Sequence, residues 1–148
     1  MESKDKNKIV KNKISEKDTF VPHKKSFNVS SLINVIKYSI QGYVHFYKYE
    51  RSAILHLIVA IIVILGSFSL NLKPIEWVFM IFILFTMLAI ELLNTAIEAV
   101  CDLVSPGYNK LVKIAKDTAS AATCSISLAL VVAIGFIYVP KIARLLGL

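Results

Sequence analysis

Cysteine and glycine are scarce in this chain of 148 residues, and long stretches of it carry no charge. Its two cysteines, Cys101 and Cys124, form no metal-ligand or disulfide spacing pattern, so both read as reduced packing residues. The five glycines are scattered, and none belongs to a phosphate loop of the P-loop or protein-kinase type. Any nucleotide site in the chain has to be of another kind. No secretory signal is expected, because the first long apolar run begins beyond residue 50. Internal repeats are absent too. Acids are few: of ten Asp and Glu, only Glu50, Glu76, Glu91, Glu98, Asp102 and Asp117 lie beyond residue 28.

What is present is apolar. The chain is 56% hydrophobic with a mean hydropathy of +0.66, too high for a soluble domain. Ala53–Leu70 is broken only by His56, Ser67 and Ser69, and Thr118–Pro140 contains no charge. Each approaches or exceeds the ~20 residues that cross a ~30 Å hydrocarbon core. A third uncharged run, Trp77–Ile90, makes three membrane-spanning helices. The expected fold is an all-α integral membrane protein.

Charge sets the expected orientation. The net charge is +7, and residues 1–28 hold eight lysines against four acids with almost no apolar periodicity. They read as a disordered basic tail on the cytoplasmic side, beside anionic head groups, rather than as a nucleic-acid-binding arm. Lys110, Lys113 and Lys116 belong on the same face. The turn Asn71–Glu76 then lies outside, together with Lys141 and Arg144, a minor exception to the positive-inside rule.

Residues 29–51 differ from the spans. Leu32, Ile33, Val35, Ile36, Ile40, Tyr43, Val44 and Tyr47 follow a helical period, with Lys37, Gln41, His45 and Lys48 opposite them. This is an amphipathic helix suited to the membrane surface, and equally to anchoring the first span. The expected organisation is thus a tail over 1–28 and a membrane domain over 29–148. The domain comprises a surface helix at about 29–51 and transmembrane helices at about 53–71, 75–100 and 117–140.

The chemistry is concentrated in Glu91–Asp102, ELLNTAIEAVCD. Trp77–Ile90 rises only about 21 Å at 1.5 Å per residue. Crossing the core takes roughly six residues more. That draws Glu91 and Asn94 into the membrane and leaves Glu98 near the cytoplasmic boundary. On a helical wheel Glu98 and Asp102 fall about 20° to either side of Glu91, and Asn94 about 60° away. One face therefore carries Glu-Asn-Glu-Asp. Carboxylates at depth cost about 2.5–3.5 kcal/mol each, so they normally serve a function. Polar glue between helices would explain one asparagine, but two carboxylates on one stripe repel unless a cation or proton intervenes. Two functional readings stay open. One is a small oligomeric ion or proton conductor. In the other, Mg²⁺ sits among carboxylates and phosphates, with Lys116-Asp117 nearby, for phosphoryl transfer to a lipid hydroxyl.

Glu91-Leu-Leu-Asn94-Thr-Ala-Ile-Glu98, Asp102 and Ile114-Ala-Lys116-Asp117-Thr-Ala-Ser120 together resemble the signature of the small prokaryotic diacylglycerol kinases. Gram-positive members of that family are undecaprenol kinases. The resemblance covers roughly residues 31–140, including Tyr38–Gly42 and Glu50, and leaves out the tail. It implies an ATP-dependent lipid kinase, a homotrimer with active sites shared between subunits, a membrane-lipid substrate and no nucleic-acid partner. Carried over by position, Glu50 and Glu98 bind the Mg²⁺ of MgATP, Glu91 is the general base, and Asn94 orients it. Tyr38, Glu50, Glu98, Tyr108, Asn109, Lys116 and Asp117 contact ATP, while Glu91 and Ser120 meet the lipid. Plainer roles remain beside these: an interfacial aromatic for Tyr38, a turn aromatic for Tyr108, close helix packing for Ser120, and a hydrogen-bonded packing residue for His56. The chain also departs from the family's pattern. Asn109 stands where some members have His, and Ser31 and Asn34 replace an Arg and a Lys of the enteric branch. The Tyr49-Glu-Arg-Ser approach and the Ser105–Asn109 loop are similar to Gram-positive members, which favours undecaprenol over diacylglycerol.

Overall fold

The computed structural model describes residues 29–147, and the expected basic tail lies outside the described residues. Four helices follow one another: α1 Val29–Tyr49, α2 Arg51–Ser69, α3 Pro74–Val104 and α4 Lys110–Leu145. No strand occurs among the described residues. The chain divides into two units, Met1–Lys37 and Tyr38–Leu148. Of the first, the described part is the opening of α1, with Leu32, Ile33, Val35 and Ile36 exposed. The second holds the remainder of α1 and the three long helices.

Length separates the three long helices. All of them are long and apolar enough to cross a membrane. The 19 residues of α2 rise about 28 Å, close to the ~30 Å core. The 31 residues of α3 rise about 46 Å and the 36 of α4 about 54 Å, so both overrun it. The surplus carries charge: Glu98 and Asp102 end α3, while Lys110, Lys113, Lys116 and Asp117 begin α4.

Helix α4 starts at Lys110 rather than at about residue 117, for two local reasons. Asn109 Oδ1 accepts the Leu111 N–H at 2.9 Å, an N-cap that supplies one of the orphan amides of the first turn. Lys113 then pairs with Asp117 one turn on. An uncharged run marks only the lipid-embedded part of such a helix. At its far end α4 continues through Pro140, where Lys141 Nζ binds Glu76 Oε2 at 2.9 Å and fastens the last turns to α3.

A buried apolar cluster lies around the turn between α2 and α3. Val63, Leu72 and Met80 are buried there, with Val59, Leu70, Trp77, Ile134 and Ile137 packed against them. Asn71 turns the chain with φ of 47°, a left-handed conformation that asparagine tolerates. Pro74 opens α3, and Glu76 Oε2 accepts the Lys73 N–H at 2.6 Å. Tyr138 of α4 donates to Val63 O at 2.6 Å and lies 2.7 Å from Ser67 Oγ, which donates to the same carbonyl at 2.8 Å. Gly66 permits this approach, since a Cβ there would stand 3.0 Å from the Tyr138 ring. Cys101 is buried and Cys124 exposed, both free, so only the first packs within the chain.

Candidate active site

The acidic stripe is one uninterrupted face, because α3 is helical from Pro74 to Val104. Its members differ in environment. Glu91 is buried, at 4% exposure, within the protein rather than facing lipid. Its Oε1 lies 3.8 Å from His56 Nδ1 of α2, and its Oε2 is buried without a hydrogen-bond partner. One turn on, Asn94 Nδ2 donates to Glu98 Oε1 at 2.9 Å, while Asn94 Oδ1 is buried and unpartnered. Asp102, exposed, receives Lys116 Nζ of α4 at 2.5 Å. Glu98 and Asp102 both act electrostatically on that lysine. The stripe therefore runs from a dry carboxylate at Glu91 to a wet ion pair at Asp102–Lys116.

Beside the wet end is a surface concavity of about 360 Å³. Tyr108, Asn109, Lys116 and Asp117 all line it, together with Asp102 and Lys113. Here the α3–α4 turn, Ser105–Asn109, brings four of the seven expected ATP contacts to one place. The ammonium groups of Lys113 and Lys116 are held by Asp117 and Asp102. An anion with more charge than a carboxylate can compete for them. Asn109 already caps α4, so its side chain has a structural task whatever else it meets.

Other expected residues stand apart from this group. Glu50 occupies the single-residue break between α1 and α2, in an extended conformation, with its N–H on Phe46 O at 3.0 Å. No hydrogen bond or ion pair joins it to Glu98. Tyr38 is 64% exposed on α1, and Ser120 is exposed on α4. Among the described residues no cluster of three or more His, Cys, Asp or Glu could hold a metal ion by itself. The donors at Glu98 nonetheless suit a hard cation: a half-buried carboxylate beside the orphaned Asn94 carbonyl oxygen. Mg²⁺ commonly takes only one or two protein carboxylates, with phosphates and water completing the shell.

Two partners escape a reading of the sequence. His56 looks like a packing residue in an apolar run, yet it stands against Glu91. Asp102 belongs to the stripe, but its grip on Lys116 spans the α3–α4 turn. Spacing along a single helix carries no signal for either.

Comparison with known proteins decides the class. The profile of the prokaryotic diacylglycerol kinase family matches residues 37–138. The chain belongs to that family. It is a membrane lipid kinase by class, and the ion-conductor reading lapses with that assignment. Among its relatives is an undecaprenol kinase of Bacillus subtilis, 34% identical over 93 residues, 63% of this chain and 76% of that one. A diacylglycerol kinase of Haemophilus influenzae is 36% identical over 98 residues, 66% of this chain and 83% of its own. A diacylglycerol kinase of Synechocystis is 30% identical over 117 residues, 78% of this chain and 67% of its own.

Proposed function

We propose that this kinase transfers the γ-phosphoryl group of ATP to the hydroxyl of a membrane lipid, undecaprenol in preference to diacylglycerol, at the cytoplasmic surface. The observation that carries this reading is the polarity gradient along α3. A nearly dry carboxylate, Glu91, and a lysine-lined concavity are joined by one helix face through Asn94 and Glu98. A lipid alcohol and a nucleotide need those two environments side by side.

In this reading Glu91 accepts the hydroxyl proton on a carboxylate oxygen as the lipid oxygen bonds to the γ-phosphorus. The bond from that phosphorus to the bridging oxygen breaks, and ADP leaves. Asn94 orients the reacting groups and holds Glu98 through its amide. Glu98, with Glu50 from the α1–α2 junction, would hold Mg²⁺, which supplies charge neutralisation for the transferring phosphoryl group. Lys116 exchanges Asp102 for phosphate. Tyr38, Tyr108, Asn109 and Asp117 complete the nucleotide contacts, and Ser120 meets the lipid. The N-terminus is cytoplasmic, and the molecule is a homotrimer whose subunits share sites. The exposed apolar surface of α4, whose membrane window is only 6% buried, supports a helix with neighbours outside its own chain.

Undecaprenol is preferred because the α1–α2 junction and the Ser105–Asn109 turn are similar to Gram-positive members. The test is transfer of labelled phosphate from ATP to each lipid in detergent, with Mg²⁺ and with chelator. Faster transfer to undecaprenol, lost on chelation, is expected. Transfer to neither lipid would sink the proposal, and faster transfer to diacylglycerol would overturn the choice of substrate.

A further inference from the structure

Burial creates a problem at Glu91 that the proposed chemistry does not solve. A general base has to be ionised and correctly aimed before the lipid arrives. Glu91 is 4% exposed, and among the described residues no lysine or arginine lies within ion-pair range of it. Lys113 is held by Asp117, Lys116 by Asp102 and Lys141 by Glu76. On its own helix the nearest polar neighbours are Asn94, which is bound to Glu98, and Thr95. From α1, Tyr47 lines an apolar cavity of about 170 Å³ with His56, Ala60, Leu84, Met87 and Leu88, and Tyr43 and His45 line a second one with Leu92, Thr95 and Ala96. His56 is the only cationic or potentially cationic group within ion-pair range of Glu91 among the described residues.

The two side chains are matched in what they lack. His56 Nδ1 is buried without a hydrogen-bond partner, and so is Glu91 Oε2, while Oε1 is the oxygen nearest the ring. A distance of 3.8 Å is too long for a hydrogen bond. A small ring rotation or one bridging water closes it. Leaving a buried ring nitrogen and a buried carboxylate unpaired is unfavourable, which drives the pairing.

We propose that His56 is the positioning residue for Glu91. Its Nδ1–H donates to Oε1, directly or through one water, and so keeps the carboxylate aimed with Oε2 free to take the lipid's proton. This rests on Glu91 being the base of the proposed reaction. His56 itself touches neither lipid nor nucleotide.

The test uses the full chain in detergent with His56→Phe, His56→Asn and Glu91→Gln. Phe keeps a flat ring without a donor, and Asn sets an amide N–H close to the position of Nδ1. His56→Phe is expected to lower kcat roughly 10- to 100-fold, by analogy with the outer partners that orient metal-binding side chains. The KM for ATP should stay within about twofold, and His56→Asn should restore most of the turnover. Independently of activity, ¹⁵N NMR of the histidine rings should show the His56 signals moving in Glu91→Gln while those of His45 stay put. Wild-type kcat in His56→Phe, equal losses in Phe and Asn, or His56 signals blind to Glu91→Gln would each overturn the proposal. Full turnover in Glu91→Gln would instead overturn the base role on which it rests, and both would fall together.

Discussion

The two ends of the three-helix domain treat polar groups in opposite ways. Around the α2–α3 turn they are partnered: Ser67, Tyr138 and the Val63 carbonyl close a network, and Glu76 serves both Lys141 and the Lys73 amide. Around the other end, His56 Nδ1, Glu91 Oε2 and Asn94 Oδ1 are buried without partners. Buried polar groups are normally satisfied, so unsatisfied ones clustered in one place call for a reason; in the reading proposed above, His56 turns to Glu91, while Glu91 Oε2 and Asn94 Oδ1 await substrates. One end holds the helices together, and in the proposed reading the other leaves valences open for substrates. Substitutions at the open end should remove activity and spare stability, with the reverse at the closed end.

The largest effects are expected at Glu91 and Glu98. Replacing Glu91 with Gln should lower turnover by about 10²–10⁴-fold, the usual contribution of a positioned acid or base, and Glu98→Gln should remove most turnover by weakening the metal site. The thermal midpoint in detergent should hold or rise, since a buried charge or a charged neighbour is removed. A large fall in the midpoint would mean that these carboxylates hold the helices together, and the contrast between the ends would collapse. Lys116→Met comes next. It should raise the KM for ATP by about tenfold, equivalent to about 1.4 kcal/mol, with little change in stability because its partner Asp102 is exposed. Titrating ATP at saturating lipid measures it. An unchanged KM would remove Lys116 from the nucleotide site.

At the closed end, Tyr138→Phe and Ser67→Ala should each cost about 0.6 kcal/mol, and not more than about 1.7, the range for interhelical hydrogen bonds in membranes. Because both hydroxyls address the Val63 carbonyl, their combined effect should fall short of the sum. Turnover at low temperature should match wild type. A marked loss of kcat in the folded variants would show that the two ends are coupled.

How far the sequence foretells these differences depends on whether a signal is periodic or paired. The three spans are legible because lipid demands an apolar run of set length. The Glu91–Asn94–Glu98–Asp102 face is legible because helical phase is arithmetic. The reach of α4 back to Lys110 is hidden, since its first turns are polar and owe their helicity to Asn109 and to the Lys113–Asp117 pair. His56 with Glu91, Asp102 with Lys116 and Tyr138 with Ser67 are hidden for another reason. Each joins residues on different helices, and only packing decides which turn faces which. Family likeness supplies roles for residues that match a motif. It is silent about His56, which lies outside the motifs that carry the likeness.

The smallest expected effect also probes the closed end. Glu76 and Lys141 form an ion pair at 2.9 Å, with side chains 23% and 16% exposed, where α3 begins and α4 ends. Lys141 also donates to the Asn71 carbonyl at 3.4 Å, and Glu76 caps the first turn of α3. Exposed pairs are typically worth about 0–1 kcal/mol. Lys141→Met should therefore destabilise by less than about 1 kcal/mol. Glu76→Gln should cost about as little, because its amide oxygen can still accept the Lys73 N–H. Thermal midpoints of both single variants and the double variant separate the pair from the cap. If Lys141→Met is silent but Glu76→Ala is not, the cap is the working contact. If both are silent, the closed end is held by the Tyr138 network and the apolar core alone. Added salt offers the second handle. Screening should weaken the pair and leave the Tyr138 network unchanged, so the difference between wild type and Lys141→Met should shrink as ionic strength rises.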